Sequence, residues 1–194
     1  MSKARIAALA VIVLIVATAG AQAASLIKDG GFEAPTVPVG GFTSFAKGAT
    51  IARWTVVGSG GGVAIVSGTY TQGSYSFPAA AGKQWLDLTG YNSNGAEGVE
   101  QTVKTVAGTN YKLSFKVGNL SGGIWGTQST VNVFVNGIQV FTATNATPGT
   151  TQNWRKFTYT FQATGATTTI DFINGDPSND NSNGLDAVTL VALP

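Results

Sequence analysis

Three carboxylates in the middle of the chain, Asp87, Glu97 and Glu100, are the groups whose spacing could support acid–base chemistry. A pair of carboxylates can divide the roles of general acid and general base between them without any histidine. Glu97 and Glu100, however, are three residues apart on a stretch that alternates like a β-strand. Successive strand residues point to opposite faces, so we expect these two side chains to lie apart. The sequence therefore predicts no catalytic carboxylate pair here.

Other common catalytic and metal-binding groups are missing from the sequence. It contains no histidine and no cysteine, which excludes Ser–His and Cys–His nucleophilic sites, imidazole or thiolate metal ligands, and disulfides. The glycine cluster Gly58–Gly62 opens no predicted helix, so it lacks the geometry of a phosphate-binding loop. We therefore expect a protein that is not an enzyme and that binds its ligand without transforming it.

Aromatic side chains are the candidates for ligand contact. Sugars stack on aromatic rings while amide side chains bond their hydroxyl groups, and exposed aromatic residues often mark binding sites. Trp125 lies in a glycine-flanked loop, Gly122–Gly126, where it either meets a ligand or closes the end of a sandwich. Tyr70, Tyr75 and Tyr91 lie in or near loops, and we predict them as further ligand-binding residues.

β-Strands must position these side chains, because period-two alternation recurs along the chain and no stretch shows helical periodicity. The sharpest signal is Asn136-Gly137 between two alternating runs, since this dipeptide accepts the positive φ angles of a type I′ hairpin turn. Trp54 and Trp85 lie in alternating stretches and are predicted to be core residues. The predicted fold is all-β, an antiparallel β-sandwich of jelly-roll type that spans residues 24–194 as a single domain.

The first 23 residues have the features of a secretory signal peptide. Lys3 and Arg5 precede an apolar run, and Ala21-Gln22-Ala23 is a small-x-small cleavage pattern. The apolar run is shorter than the roughly 20 residues that a membrane-spanning helix needs. We therefore expect cleavage after Ala23 and a secreted protein, extracellular or periplasmic, that does not insert into a membrane.

The charge balance argues against nucleic acid as a partner. Two of the eleven lysines and arginines lie in the leader, whereas all nine acidic residues lie beyond it, so the remainder carries no net charge. Without a basic excess, neither nucleic acid nor an anionic bilayer surface is an expected partner. Charged residues are only 10% of the sequence, and such a surface suits an uncharged partner such as a polysaccharide or other glycan.

Several short motifs occur in an order that resembles a known family. They are residues 26–33 (LIKDGGFE), 51–56 (IARWTV), 82–88 (GKQWLDL), 99–103 (VEQTV), 109–115 (TNYKLSF), 154–161 (WRKFTYTF) and 185–190 (LDAVTL). This ordered set resembles domain-of-unknown-function family 642, the plant cell-wall proteins and their bacterial relatives within the galactose-binding-like jelly rolls. The resemblance implies a secreted jelly roll that binds carbohydrate or protein and does not catalyse a reaction.

The resemblance also implies a structural calcium ion. In similar jelly rolls calcium ties the N-terminal loop to the last strand, and the matching positions here are Glu33 and Asp186, with carbonyls of Gly30 and Gly31 as further ligands. The alternative is that both carboxylates accept backbone N–H groups without a metal. Family members commonly carry a second acid after the first, and Ala187 stands at that position here.

The polar stretch Asp176–Gly184 looks like a calcium loop but is predicted to be an ordinary turn. If Gly184 is aligned with the glycine of an EF-hand loop, the twelfth position is Leu190, where a bidentate glutamate is required. Asparagine and aspartate are common in turns because their side chains bond the nearby backbone.

The sequence thus predicts a secreted, non-catalytic carbohydrate-binding module that is stabilised by calcium. The alternative is an extracellular structural or adhesive protein that binds another protein or a matrix component. A binding module predicts a concave face lined by tryptophan or tyrosine with asparagine or glutamine. An adhesive protein predicts a flat apolar patch or an exposed edge strand.

Overall fold

The structure is a computed structural model that describes residues 24–90, 95–177 and 182–194. Fourteen β-strands and one 3₁₀ turn (Gly123–Trp125) make up its regular structure, and the described residues form no α-helix. The strands are β1 (Phe42–Phe45), β2 (Thr50–Ile51), β3 (Trp54–Gly58), β4 (Val63–Ser67), β5 (Thr71–Gln72), β6 (Tyr75–Ser76), β7 (Gln84–Asp87), β8 (Glu97–Lys104), β9 (Asn110–Asn119), β10 (Ser129–Val135), β11 (Ile138–Asn145), β12 (Asn153–Gln162), β13 (Thr167–Asn174) and β14 (Gly184–Ala192). The predicted signal peptide lies outside the described residues.

Two six-stranded sheets enclose the core. Sheet A has the strand order β1-β4-β7-β14-β9-β12, and sheet B has the order β11-β10-β13-β8-β3-β2. Strands β5 and β6 form a separate two-stranded ribbon. The paired strands run antiparallel, which confirms the predicted antiparallel sandwich. Four of the strands, β1, β2, β5 and β6, have only two to four residues each, too few to show alternation in the sequence.

Alternation along β8 divides its side chains between the core and the outer face of sheet B. Val99, Gln101 and Val103 are buried, as the sequence predicts. Glu97 also faces inward and is 1% exposed, whereas Glu100 lies half-buried on the outer face. The two glutamates therefore lie on opposite faces, and the prediction that they do not pair is confirmed.

Trp54 lies at the centre of the main core. Its ring packs against Phe32 and Phe172, with ring centroids 5.4 and 6.0 Å away. The indole Nε1 donates a hydrogen bond to the backbone oxygen of Asp29 at 3.0 Å, so the one polar atom of the buried ring has a partner. This contact fixes the N-terminal segment on the core and confirms the prediction for Trp54.

The predicted hairpin joins β10 and β11. Asn136 and Gly137 have φ angles of 52° and 77°, which are the left-handed values that a type I′ turn needs. The Asn136 side chain also accepts a hydrogen bond from the backbone N–H of Thr169 at 2.9 Å. The turn is therefore anchored to the neighbouring strand β13.

Asp171 on β13 is a carboxylate that the folded chain accommodates poorly when it is charged. It pairs across the sheet with Glu100 of β8, and its Oδ1 atom is buried without a hydrogen-bond partner. Burial, together with the charge of Glu100, raises the pKa of Asp171 from 3.8 to about 6. The folded chain therefore binds a proton more tightly than the unfolded chain, so this group stabilises the fold below pH 4 and that contribution is lost as the pH rises through 6.

We expect Asp171→Asn to stabilise the protein at pH 8 and to have almost no effect at pH 4. The gain at pH 8 should be about 1 kcal/mol, because solvent screens a half-buried charge. Urea denaturation at the two pH values measures it. Glu100→Gln is the matched control, since it removes the repelling partner and should also stabilise at pH 8. Equal effects of Asp171→Asn at both pH values would contradict this account.

Candidate functional site

A groove of about 250 Å³ lies on the outer face of sheet A. Lysine and hydroxyl side chains dominate its lining, which consists of Lys112, Ser114, Phe115, Lys116, Lys156, Ala187, Thr189 and Val191. These residues belong to the neighbouring strands β9, β12 and β14. The groove is thus formed by the side chains of the sheet itself and differs from the predicted lining of tyrosine, tryptophan and amide side chains.

Strand alternation and pairing produce this lining. Lys112, Ser114 and Lys116 occupy outward positions of β9, while the residues between them are buried in the core. The β9–β12 register places Lys156 opposite Lys116, and the β9–β14 register places Thr189 opposite Ser114. Side chains on directly opposed residues are about 5 Å apart, so these groups share one surface.

A bulge in β14 borders the groove. The pairing of β14 with β9 shifts between Asp186 and Thr189, and Ala187 adopts a left-handed φ of 53°. Within this bulge the Val188 N–H donates to the carbonyl of Gly30 at 2.8 Å. The N-terminal segment thus takes over a hydrogen bond that the sheet has lost, which holds the last strand in its irregular shape.

Trp154 lies next to Lys156 in the outward row of β12. Its ring covers Gly118 and Gly184, where a Cβ atom at either glycine would lie only 2.9 Å from the indole. The indole Nε1 donates to the carbonyl of Pro78 at 2.8 Å. The two glycines therefore let a large half-buried ring lie flat on the sheet beside the groove, and this ring links the sheet to the segment that covers it.

An outer aromatic cluster covers the other half of this face. It comprises Tyr70, Tyr75, Phe77, Trp85, Trp125 and Trp154, packed with Ala64, Val66, Ala79 and Leu120. Phe77 stacks on Trp85 with centroids 6.3 Å apart. Trp85 is buried, as predicted, but it belongs to this outer cluster and not to the core between the sheets. Because outward strand residues are normally solvated, the sequence pattern did not reveal that loops cover them.

The predicted ligand-binding residues Trp125, Tyr70 and Tyr75 all belong to the outer aromatic cluster. The Trp125 ring packs edge-on against Phe77 and Tyr75 at 5.1 and 6.0 Å, and Tyr70 packs on Phe77 at 5.3 Å. All three predicted residues are half-buried, so each retains some exposed surface. The structure brings them together, and their contact with a ligand stays a prediction. Tyr91 lies outside the described residues.

The predicted calcium ligands Glu33 and Asp186 both accept hydrogen bonds from the backbone of residues 80–84. The Asp186 Oδ2 atom accepts the backbone N–H groups of Ala80 and Ala81 at 2.9 and 3.0 Å. Glu33 Oε1 accepts those of Lys83 and Gln84 at 2.7 and 3.0 Å. These are the backbone contacts that the alternative to calcium requires. They hold one oxygen of Glu33, whereas both oxygens of Asp186 accept backbone N–H groups, since Oδ1 accepts that of Ala187.

Gly31 lies between these two carboxylates. Its Cβ position is 3.8 Å from Asp186 Oδ1 and 3.8 Å from the Cγ atom of Glu33. Asp186 is fully buried, and burial followed by the charge of Glu33 raises its pKa to about 6 against the opposing effect of its backbone hydrogen bonds. Two negative groups are thus held side by side near the N-terminal loop.

This region offers oxygen atoms as donors to a divalent cation. A third carboxylate, Asp29, bonds the backbone N–H of Glu33 through Oδ1 at 2.9 Å, while its Oδ2 is buried without a partner. Oxygen is the donor that calcium prefers, and it takes six to eight of them. No three acidic side chains of the described residues form a metal site by themselves, so backbone carbonyls, including those of Gly30 and Gly31, would have to supply the remaining ligands.

Asp87 and Glu97 are two of the three carboxylates considered for acid–base chemistry, whereas the third, Glu100, lies on the outer face of sheet B. Asp87 Oδ1 accepts bonds from the backbone N–H and the hydroxyl of Thr89 and from the backbone of Asn183. Burial, with a smaller contribution from the charge of Glu97, raises the pKa of Asp87 to about 6. Both Glu97 oxygens are buried without a partner beneath Gly60. Neither group lines the groove. Part of the predicted polar turn, residues 178–181, lies outside the described residues.

Lys112, Lys116, Lys156 and Trp154 were not among the sequence-predicted site residues. The alternation of β9 does place Lys112 and Lys116 on one face, and that signal was available. What was missing is the partner: only the β9–β12 register shows that Lys156 joins them. Such pairings connect residues some forty positions apart, and no local pattern encodes them.

A protein-family model described as "Protein of unknown function (DUF642)" matches residues 25–190. This range includes all the motifs on which the sequence-based resemblance rests. No curated protein matches the chain significantly.

Solved structures share the fold. The Stig cyclase Fisc from Fischerella sp. TAU, in complex with an indole compound, is 22% identical, with a TM-score of 0.63 over 89% of this chain and 98% of that chain. An arabinose-bound α-L-arabinofuranosidase, MgGH51, gives 17% identity and a TM-score of 0.52 over 90% of this chain and 27% of that chain. A CBM22-1 xylan-binding domain from Paenibacillus barcinonensis gives 20% identity and a TM-score of 0.48 over 80% and 97%. At these identities the likeness concerns the fold alone.

Proposed function

The chain belongs to the DUF642 family, and from that premise we propose that it is a secreted, non-catalytic carbohydrate-binding protein whose ligand lies in the groove on sheet A. The observation that carries the proposal is the groove itself. It offers ammonium and hydroxyl groups on one rigid sheet surface, beside the half-buried ring of Trp154. Sugars need this mixture, since donors and acceptors bond their hydroxyl groups and an aromatic face packs on their C–H groups.

The size of the groove favours a polymer over an enclosed small molecule. Pockets that bury a small ligand have volumes of roughly 300–1,000 Å³. This groove has about 250 Å³ and lies on a sheet surface, which suits side-on contact with a few units of a longer chain. Side chains on adjacent strands are also held more precisely than side chains on loops.

Binding without catalysis agrees with the groove lining. None of the lining residues is a carboxylate, and the nearby Asp186 uses both oxygens for backbone hydrogen bonds. A general acid and a general base must both reach the reacting bond. The cyclase and glycosidase activities in the names of the structural relatives are properties of those proteins.

Secretion and calcium are parts of the same proposal. Secretion is supported by the leader-like sequence of residues 1–23. In the part of the chain that the structure describes, no helix is long and apolar enough to cross a membrane. Calcium is supported by the two carboxylates, Glu33 and Asp186, that lie beside Gly31 at the N-terminal loop. Held there by Glu33 and Asp186 together with backbone carbonyls, the ion would tie the first described segment to the last strand.

A polysaccharide-panel assay tests the proposal. We expect selective, saturable binding of one glycan class by the purified protein with calcium present. Thr189→Trp should reduce that affinity at least tenfold, because the indole would fill the groove, a loss of about 1.4 kcal/mol or more. Isothermal titration calorimetry measures it. Thr102→Trp on the outer face of sheet B is the matched control and should bind normally.

Trp125→Ala in the same assay decides between the groove and the outer aromatic cluster. If the ligand lies in the groove, this variant retains affinity provided that it is folded by circular dichroism. If it loses affinity while Thr189→Trp binds normally, the ligand lies on the aromatic cluster instead. A folded protein that binds no glycan on a broad panel would contradict the proposed function.

The second candidate function is adhesion to a protein or matrix component. The observation that favours it is a set of exposed large apolar side chains, Val39, Phe42 and Ile124, with Val39 89% and Ile124 59% exposed. Phe42 belongs to β1, an edge strand of sheet A. Binding to matrix proteins that is lost on Ile124→Ser and Val39→Ser, in the absence of glycan binding, would support this candidate.

A further inference from the structure

We propose that the groove recognises acidic polysaccharide, with Lys112, Lys116 and Lys156 binding the carboxylate or sulfate groups of successive sugar units. This inference rests on the proposed function and narrows its ligand class. The sequence alone favoured an uncharged glycan because the net charge beyond the leader is zero. The structure changes that expectation because it gathers three lysines into one groove.

The three ammonium groups have no acidic partner among the described residues. Lys116 is half-buried, and its Nζ atom donates only to the carbonyl of Ala80, at 3.3 Å. Lys112 and Lys156 are exposed. Asp186 lies opposite Lys116 in the register, but its oxygens accept backbone N–H groups under the covering loop. An ammonium group carries three donors, so each lysine can still bind a ligand.

The pairing of Lys116 with Lys156 favours an anionic ligand. The two residues lie directly opposite each other on β9 and β12. Like charges at directly opposed positions destabilise a sheet. An acidic group between the two ammonium groups would turn that repulsion into two charge-assisted hydrogen bonds. The groove is therefore a place where an anion gains more than a neutral hydroxyl group does.

The spacing of the lysines favours a polymer with repeated acidic groups. Lys112 lies four residues along β9 from Lys116, a distance of about 13 Å at the rise of a strand. The hydroxyl groups of Ser114 and Thr189 lie between these two levels. One end of the groove thus suits one acidic group, the middle suits sugar hydroxyls, and the far end suits a second acidic group. A lone phosphate would use only one end.

Ligands with one backbone and different acidic groups test this inference. The probes are oligosaccharides of β-1,4-linked glucuronate, the neutral cello-oligosaccharides of the same linkage, and sulfated cello-oligosaccharides; duplex DNA is the fourth arm. We expect the acidic oligosaccharides to bind at least tenfold more tightly than the neutral ones, and the difference to shrink as salt screens the charges. The carboxylated and sulfated arms distinguish the two sources of negative charge.

Lysine variants test whether the groove lysines cause the preference for acidic oligosaccharides. Lys116→Gln/Lys156→Gln should lose at least tenfold in affinity for the acidic probe and almost nothing for the neutral one. Lys116→Arg should keep the acidic preference because it keeps the charge. Lys47→Gln/Lys104→Gln, which removes two exposed lysines outside the groove, is the matched control and should bind normally.

The outcomes distinguish a failure of this inference alone from a failure of the proposed function. If neutral and acidic oligosaccharides bind equally and Thr189→Trp abolishes both, the groove binds glycans but the acidic preference is wrong. If DNA binds as tightly as the acidic oligosaccharide through the same lysines, the groove is a general polyanion site and the inference is overturned. If neither these oligosaccharides nor the broad panel bind to the folded protein, the proposed function fails together with it.

Discussion

Gly30→Ala is expected to destabilise the protein by about 3 kcal/mol or more, a large share of the 5–15 kcal/mol that holds a typical domain together. A Cβ atom at position 30 would lie 2.0 Å from the carbonyl oxygen of Val188 and 2.9 Å from its carbon. Both contacts are with backbone, so no side chain can move aside. The strand would have to separate and lose the hydrogen bond from the Val188 N–H to the Gly30 carbonyl. Urea denaturation measures the loss.

Gly31, which follows Gly30 in the chain, and Gly165 provide the controls. At Gly31 the nearest atoms to a Cβ lie at 3.8 Å, and at Gly165 the nearest lies at 3.7 Å, both ordinary contact distances. Gly31→Ala and Gly165→Ala should therefore change the midpoint only slightly. A Gly30→Ala protein with the wild-type midpoint would show that residue 30 does not pack this closely against the backbone of Val188.

The strands that could be predicted from sequence are the long ones with a buried face. In β9 the side chains from Tyr111 to Val117 alternate between core and surface, and the pattern of apolar residues follows this directly. Asn136-Gly137 likewise predicts its hairpin because the turn is a local property. Local patterns predict single strands and turns. The jelly-roll arrangement of these strands was predicted from the resemblance to the family, which the match over residues 25–190 confirms.

The burial of outward residues on the half of sheet A that loops cover could not be predicted. Outward strand residues are usually exposed to solvent. Trp85 is outward on β7 and would normally be solvated, yet it is buried by Phe77 from a loop. The same loop explains why Trp125 packs among other rings instead of standing alone at a sandwich end. Which loop covers which face depends on tertiary contacts, and these leave no periodic trace in the sequence.

The basic character of the groove could not be predicted from the sequence for a similar reason. The zero net charge beyond the leader is a sum over residues 24–194, whereas recognition depends on where the charges lie. Lys116 and Lys156 are separated by forty positions and become neighbours only through the β9–β12 register. Most of the acidic residues lie elsewhere, and Asp186 turns its oxygens to the backbone. A chain with no net charge beyond its leader can therefore present a locally basic groove.

Removal of calcium is expected to lower the melting temperature by about 5–10 °C. A ligand at 100 times its dissociation constant stabilises a protein by about 2.7 kcal/mol, and 1 kcal/mol corresponds to about 2–4 °C for a chain of this size. The physical reason is that Glu33 and Asp186 both lie beside Gly31, at the junction of the first segment and the last strand. A divalent ion would neutralise them and clamp the two together. Calorimetry with chelator, then with calcium restored, measures the change.

Glu33→Gln separates the effect of calcium on the melting temperature from the effect of the loop's hydrogen bonds. The amide keeps an oxygen for the backbone N–H groups of Lys83 and Gln84, so the loop retains its anchor while the charge is removed. We expect this variant to melt at the same temperature with and without calcium, because an amide in place of one of the two carboxylates weakens a calcium site severely. Glu100→Gln, a carboxylate on sheet B, should keep the full calcium response. A wild-type melting curve that calcium and chelator leave unmoved would show that the backbone N–H groups alone balance these carboxylates.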